Sequence, residues 1–216
     1  MLSAVLAGFA LSGGLIVAIG AQNAFVIRQG VLDQHVLWIC LFCALSDMTL
    51  ICSGTLGWGA VLSAAPALLP LLRYAGAAFL IWYGFEALRR ALRPGALAAG
   101  GGGARSLRSA LALCAAFTWL NPHVYLDTLV FLGSVAATQG AWRWWFAVGA
   151  VTASLVWFTG LGFGARLLAP IFARASAWRA LDALIAVVMI GLGLALAFGS
   201  SPVESAQALT STIGGG

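Results

Sequence analysis

Six apolar stretches, each long enough to cross a bilayer, follow one another along this 216-residue chain with only short connections between them. A helix needs about 20 mostly apolar residues to span the hydrocarbon. The stretches run Leu2–Ile27, Val36–Leu62, Leu68–Leu88, Ala110–Ala137, Trp142–Leu167 and Ala180–Gly199, and no soluble domain fits between them. Only 8% of the residues are charged, against about a quarter in an average soluble domain. Lipid solvates such a surface directly, whereas a soluble fold of this size could not hide it. The expected fold class is an all-α membrane protein of about six transmembrane helices.

The fourth stretch is apolar to Phe117, breaks at Thr118-Trp119-Leu120-Asn121-Pro122-His123 and resumes through Phe131. Proline has no N–H and suits the first turn of a helix, and asparagine is a strong N-cap. Asn121-Pro122 is therefore expected to start a second half-helix inside the span, its N–H groups and positive dipole end able to hold a carboxylate; a plain proline kink is the alternative. The longest connection, 89–109, contains Gly100-Gly101-Gly102-Gly103 and reads as a cytoplasmic Arg/Gly-rich linker between halves 1–88 and 110–199, with a short polar tail at 200–216. Halves of three spans each insert oppositely if homologous, and Gly20-Ala21-Gln22-Asn23 faintly matches Thr118-Trp119-Leu120-Asn121. Inverted repeats with paired helix breaks are a transporter plan that binds substrate near the midplane. Chance similarity between Gly- and Ala-rich helices stands against that reading.

All eleven basic residues are arginine. Alternating the loops across the membrane puts Arg28, Arg89, Arg90, Arg93, Arg105, Arg108, Arg166, Arg174 and Arg179 on one side, and only Arg73 and Arg143 on the other. The arginine-rich side is expected to be cytoplasmic, with both termini outside. This pattern sets topology and does not form a nucleic-acid patch. Met1-Leu2-Ser3 has no basic n-region, so the first stretch reads as a retained span.

Of the six acidic residues, only Asp47 and Asp127 lie well inside a span, more than about 10 Å from either end at 1.5 Å per residue. A central carboxylate costs roughly 2.5–3.5 kcal/mol and normally marks a substrate, ion or proton path. A protonated carboxyl, or one locking two helices to an arginine, is the bland alternative; no arginine falls at matching depth. Two such groups meeting across helices would hold a cation and titrate as a pair. Asp33, Glu86, Asp182 and Glu204 fall in loops, near span ends or in the tail. Gln22 and Asn23 either match Asn121 functionally or serve as helix–helix glue. His123 and Asp127 share a helical face, but two ligands make a poor metal site, so His123 reads as an orienting or proton-relaying group. No metal and no cofactor are expected.

Cys40 and Cys43 form a C-x-x-C, with Cys52 and Cys114 also in apolar segments. A thiol–disulfide carrier is one reading; small buried thiols are the other. Gly160-Leu161-Gly162-Phe163-Gly164 and Gly191-Leu192-Gly193 read as close-packing faces, and Arg143 with Trp142, Trp144 and Trp145 as an interfacial anchor. No motif shows the orienting third group that catalysis needs, so no enzyme activity is expected.

Gly20-Ala21-Gln22-Asn23-Ala24-Phe25-Val26, Leu45-Ser46-Asp47 and Thr118-Trp119-Leu120-Asn121-Pro122-His123-Val124-Tyr125-Leu126-Asp127-Thr128 resemble the LysE family of bacterial lysine and arginine exporters. The likeness extends through Trp82-Tyr83-Gly84 to Ala206-Gln207-Ala208-Leu209. Ala21 stands where the family usually has proline, which predicts a gentler first helix break. The resemblance implies a multi-pass inner-membrane exporter of arginine and/or lysine, homodimeric in membrane lipid, and it adds Tyr125 to the candidate site.

In that setting the half-helix at Asn121-Pro122 would hold the substrate α-carboxylate, while Asp47 and Asp127 take its cationic groups. A carboxylate that binds a proton or a cation, not both, is a basis for antiport with the proton gradient. The rivals are export of neutral amino acids, which need no central carboxylates, export of a divalent metal, which wants more ligands, and the thiol carrier.

Overall fold

The computed structural model describes residues 1–17, 20–57, 59, 68–92 and 106–198. The expected linker core at 93–105, the tail, Arg93, Arg105 and Glu204 lie outside the described residues.

Where the sequence is apolar the chain is helical, and no strand occurs among the described residues. The helices are α1 (Leu2–Ile16), α2 (Ala21–Val31), α3 (Val36–Thr55), α4 (Leu68–Leu92), α5 (Leu107–Trp119), the short α6 (Pro122–Tyr125), a π-helical turn (Leu126–Leu132), α7 (Gly133–Thr138), α8 (Arg143–Gly164) and α9 (Ala175–Phe198).

Three helical segments are long and apolar enough to cross a membrane unaided: α3, α8 with its flanking turns (Gly140–Leu168), and α9. A fourth is formed if α1 and α2, bent by 83° to one another, count as one span. The expectation of six similar spans is thus met only in part, for two local reasons. Helix α4 is one unbroken 25-residue helix, but Arg73 near its start and Glu86, Arg89 and Arg90 near its end make it less apolar. The fourth stretch is divided into α5, α6, the π-helical turn and α7. Helix α9 also starts five residues before the apolar run at Ala180, which carries Asp182 inside the helix.

The helices pack backbone to backbone through small residues. A Cβ on Gly8 of α1 would overlap the Phe146 carbonyl oxygen of α8, and one on Gly149 would overlap the Val5 carbonyl oxygen. Gly54 of α3 and Gly133 at the start of α7 meet in the same way. Lipid gives helices no hydrophobic reason to associate, so close approach through glycine is what gains contact area. Of the two glycine-rich runs, only Gly162 and Gly193 make such contacts; Gly160, Gly164 and Gly191 face open space.

Phe25, Phe79, Tyr83 and Phe117 stack at the meeting of α2, α4 and α5, with Phe79–Phe117 centroids 4.9 Å apart. Large apolar side chains such as Trp38, Leu45, Trp82, Val156 and Val187 face outward, each more than half exposed. In water such a surface would drive association; in lipid it is the expected exterior. Trp142, Trp144 and Trp145 are exposed together at the start of α8, with the Arg143 guanidinium over the Trp144 ring.

Candidate functional site

Two helix breaks interrupt the bundle, and each is bridged by a side chain from beyond it. At the first, the chain turns at Gly20, in extended conformation, before α2 starts at Ala21. The amide of Asn23 reaches back to donate to the Ile16 carbonyl at the end of α1, 2.8 Å away. At the second, Asn121 adopts an extended conformation, accepts from the His123 N–H at 3.1 Å, and Pro122 occupies the first position of α6. Tyr125 then donates its hydroxyl to the Trp119 carbonyl at the end of α5, 2.7 Å away. In each case a side chain beyond the break satisfies a carbonyl that the interrupted helix leaves bare, as a nonpolar interior demands.

The second break is therefore a newly capped half-helix and not a plain proline kink. The gentler first break expected from Ala21 is not what forms: 83° separates α1 from α2. Gly20 is extended there and the Asn23 amide bonds back to α1.

Asp47 lies midway along α3, 7% exposed, and accepts a 2.6 Å hydrogen bond from Ser154 of α8. Its partner is a neutral hydroxyl and not a cation. Asn23 sits on the same α8 wall, accepting from the Trp157 indole N–H at 3.3 Å. The Gln22 amide nitrogen is buried beside the first break, against the Cys43 thiol. Asp127 is half-buried in the π-helical turn and His123 is exposed.

The sequence reading missed the strongest charged cluster. Asp182 of α9 is wholly buried, and its Oδ1 receives the Nε of Arg28 (α2) at 3.4 Å and of Arg90 (α4) at 3.2 Å. Arg28 also lies over Trp178 and Arg90 over Tyr83. Placing Arg28 in a loop and Asp182 near a span end hid the pairing. The usable signal was that Arg28-Gln29 continues the helical run after Phe25 without a turn residue.

The thiols do not form a C-x-x-C redox pair. Cys40 donates to the Phe158 carbonyl, while the Cys43 sulfur lies 3.2 Å from that of Cys114 on α5. Among the described residues no three His, Cys, Asp or Glu side chains converge as metal ligands would.

With this geometry in view, known proteins provide the comparison. The profile of the LysE type translocator family matches residues 14–200. The arginine exporter protein ArgO of Serratia proteamaculans is 47% identical over 201 residues, covering 92% of this chain and 98% of its own. ArgO of Salmonella typhimurium is 44% identical over 191 residues, 88% of this chain and 90% of its own. A Mycobacterium tuberculosis protein whose name assigns it to amino-acid transport is 46% identical over 191 residues, 88% of this chain and 95% of its own. No solved structure matches the chain significantly.

Proposed function

The chain belongs to the LysE type translocator family, and we propose on that premise that it exports arginine and/or lysine across a bacterial inner membrane. It is a transporter of amino acids and not an enzyme. The observation that carries the substrate reading is Asp47: a buried carboxylate, midway along a spanning helix, whose partner is a serine hydroxyl and not an arginine. A guanidinium offers it two parallel hydrogen bonds and a neutralising charge.

In this reading the substrate α-carboxylate meets the N-terminal ends at the two breaks, where Gln22 and the Asn121-Pro122-His123 turn supply donors. Asp47, with Asp127 beyond it, takes the cationic end. Asn23 and Tyr125 hold the two turns in shape. Moving one positive charge out against 100 mV costs about 2.3 kcal/mol. Exchange for one proton cancels that term, and a carboxylate that holds either a proton or the substrate provides the exchange.

The two bridged breaks also support pairing halves 1–88 and 110–199 as inverted repeats with six crossings, joined by a cytoplasmic linker. The protein is proposed to act as a homodimer.

The test is efflux of radiolabelled arginine and lysine from dipeptide-loaded cells with and without the chain. Faster efflux that disappears in Asp47→Asn supports the proposal. Unchanged efflux from cells whose membranes contain the protein refutes it and directs attention to neutral amino acids or a divalent metal cation.

A further inference from the structure

Asp182 is wholly buried, yet only half of its carboxylate is used. Oδ1 receives Nε from both Arg28 and Arg90, while Oδ2 has no hydrogen-bond partner among the described residues. On the other side of the same ion pair, Arg90 Nη2 is also buried and unpartnered among the described residues. So is the hydroxyl of Tyr83, on whose ring the Arg90 guanidinium rests at 5.6 Å. Folded proteins rarely leave buried polar atoms bare, because each forfeits its hydration without return. Here a bare acceptor and a bare donor belong to one ion pair, at the end of the bundle where the arginines gather.

We infer that Arg28, Asp182, Arg90 and Tyr83 form a second binding site, for the α-ammonium and α-carboxylate of a free amino acid, separate from the Asp47 region. The ligand class follows from what the bare atoms require. Arg90 Nη2 is a guanidinium donor with no acceptor among the described residues, and a carboxylate is the acceptor that suits it best. Oδ2, an acceptor only, requires a donor. A simple anion would satisfy Arg90 and leave Oδ2 bare; a metal ion would meet two arginines. An amino-acid zwitterion supplies the acceptor and the donor one carbon apart. Arg90 keeps 20% of its side chain exposed while Asp182 has none, so the site is reached from the Arg90 side. Its position in the arginine-rich end makes it a loading site, which recognises any amino acid by its head group before the central carboxylate selects the side chain. The inference rests on amino-acid export but not on arginine as the cargo.

The test uses the full chain in lipid nanodiscs and reads half-saturation from thermal stabilisation by arginine, by agmatine (no α-carboxylate) and by deaminoarginine (no α-ammonium). Wild type should prefer arginine to either analogue by at least about tenfold. Arg90→Gln should bring arginine and agmatine together while moving agmatine by less than about twofold. Tyr83→Phe deletes an atom without a partner in the fold, so it tests the site even if Arg90→Gln does not fold, and should weaken arginine binding several-fold. The inference is overturned by equal affinities in wild type, by variants that weaken arginine and agmatine alike (the mark of a closure or a bridging water), or by no amino-acid binding. If leucine binds and arginine does not, arginine export is refuted alone; the inference then stands if leucine loses to its decarboxylated amine in the same variants, and falls if it does not.

Discussion

Asp47 and Asp182 are both buried carboxylates, and their neighbours give them opposite properties. Ser154 bonds Asp47 without neutralising it, whereas Arg28 and Arg90 hold Asp182 between them. Asp47→Asn keeps an oxygen for Ser154 to bond while removing the charge. Arginine efflux should therefore fall at least about tenfold with normal membrane levels on immunoblots, as expected when a desolvated charge–charge contact is lost. Ser154→Ala leaves one Asp47 oxygen buried and bare, at a cost of about 1–3 kcal/mol, and should lower the unfolding temperature in detergent. Asp182→Ala strands two guanidinium groups, and breaking a buried pair costs about 3–5 kcal/mol; that variant should accumulate poorly. Asp47 was legible because a carboxylate among apolar residues stands out in one dimension. Asp182 was not, because its partners are 154 and 92 residues away.

At the scale of elements, the two breaks show what local chemistry can and cannot announce. Asn121-Pro122 states its purpose in two residues, and the capped half-helix followed. The first break has no proline, and the Asn23 amide bonds the Ile16 carbonyl across it, a contact that only the folded chain brings together. Removing the Asn121 cap should cost about 1 kcal/mol. Asn121→Ala should thus lower both thermal stability and efflux, while Asn121→Asp, also a good cap, restores the stability. If the two changed in parallel, capping would be irrelevant. Tyr125→Phe bares the Trp119 carbonyl and should likewise destabilise, by about 1–3 kcal/mol, read in the same unfolding assay. The π-helical turn from Leu126 to Leu132 had no sequence signal; Gly54 and Gly133 bring α3 against it so closely that backbone meets backbone.

Across the whole molecule, charge separates along the bundle. Arg28, Arg90, Arg166 and Arg179 are tied together at one end through Asp182, Asp33 and the Ala91 carbonyl. Arg73 bonds the Leu196 and Ala197 carbonyls at the opposite end of the α4–α9 pair. Placing the richer end in the cytoplasm predicts that Asp33→Cys reacts with an impermeant maleimide only in inverted vesicles, and Ala141→Cys only in intact cells. The reverse pattern would turn the protein over. The sequence by itself determined the membrane setting, the helical class, the segregation of arginines and the place of Asp47 midway along a spanning helix, since each follows from residue type and position along one helix. Only the tertiary structure decided that Asp47 bonds Ser154, that the first turn is sharp, and that Asp182 gathers two arginines. Those outcomes depend on which helix faces meet. Packing between distant segments sets that, and where glycines let backbones touch, no one-dimensional pattern records the partner.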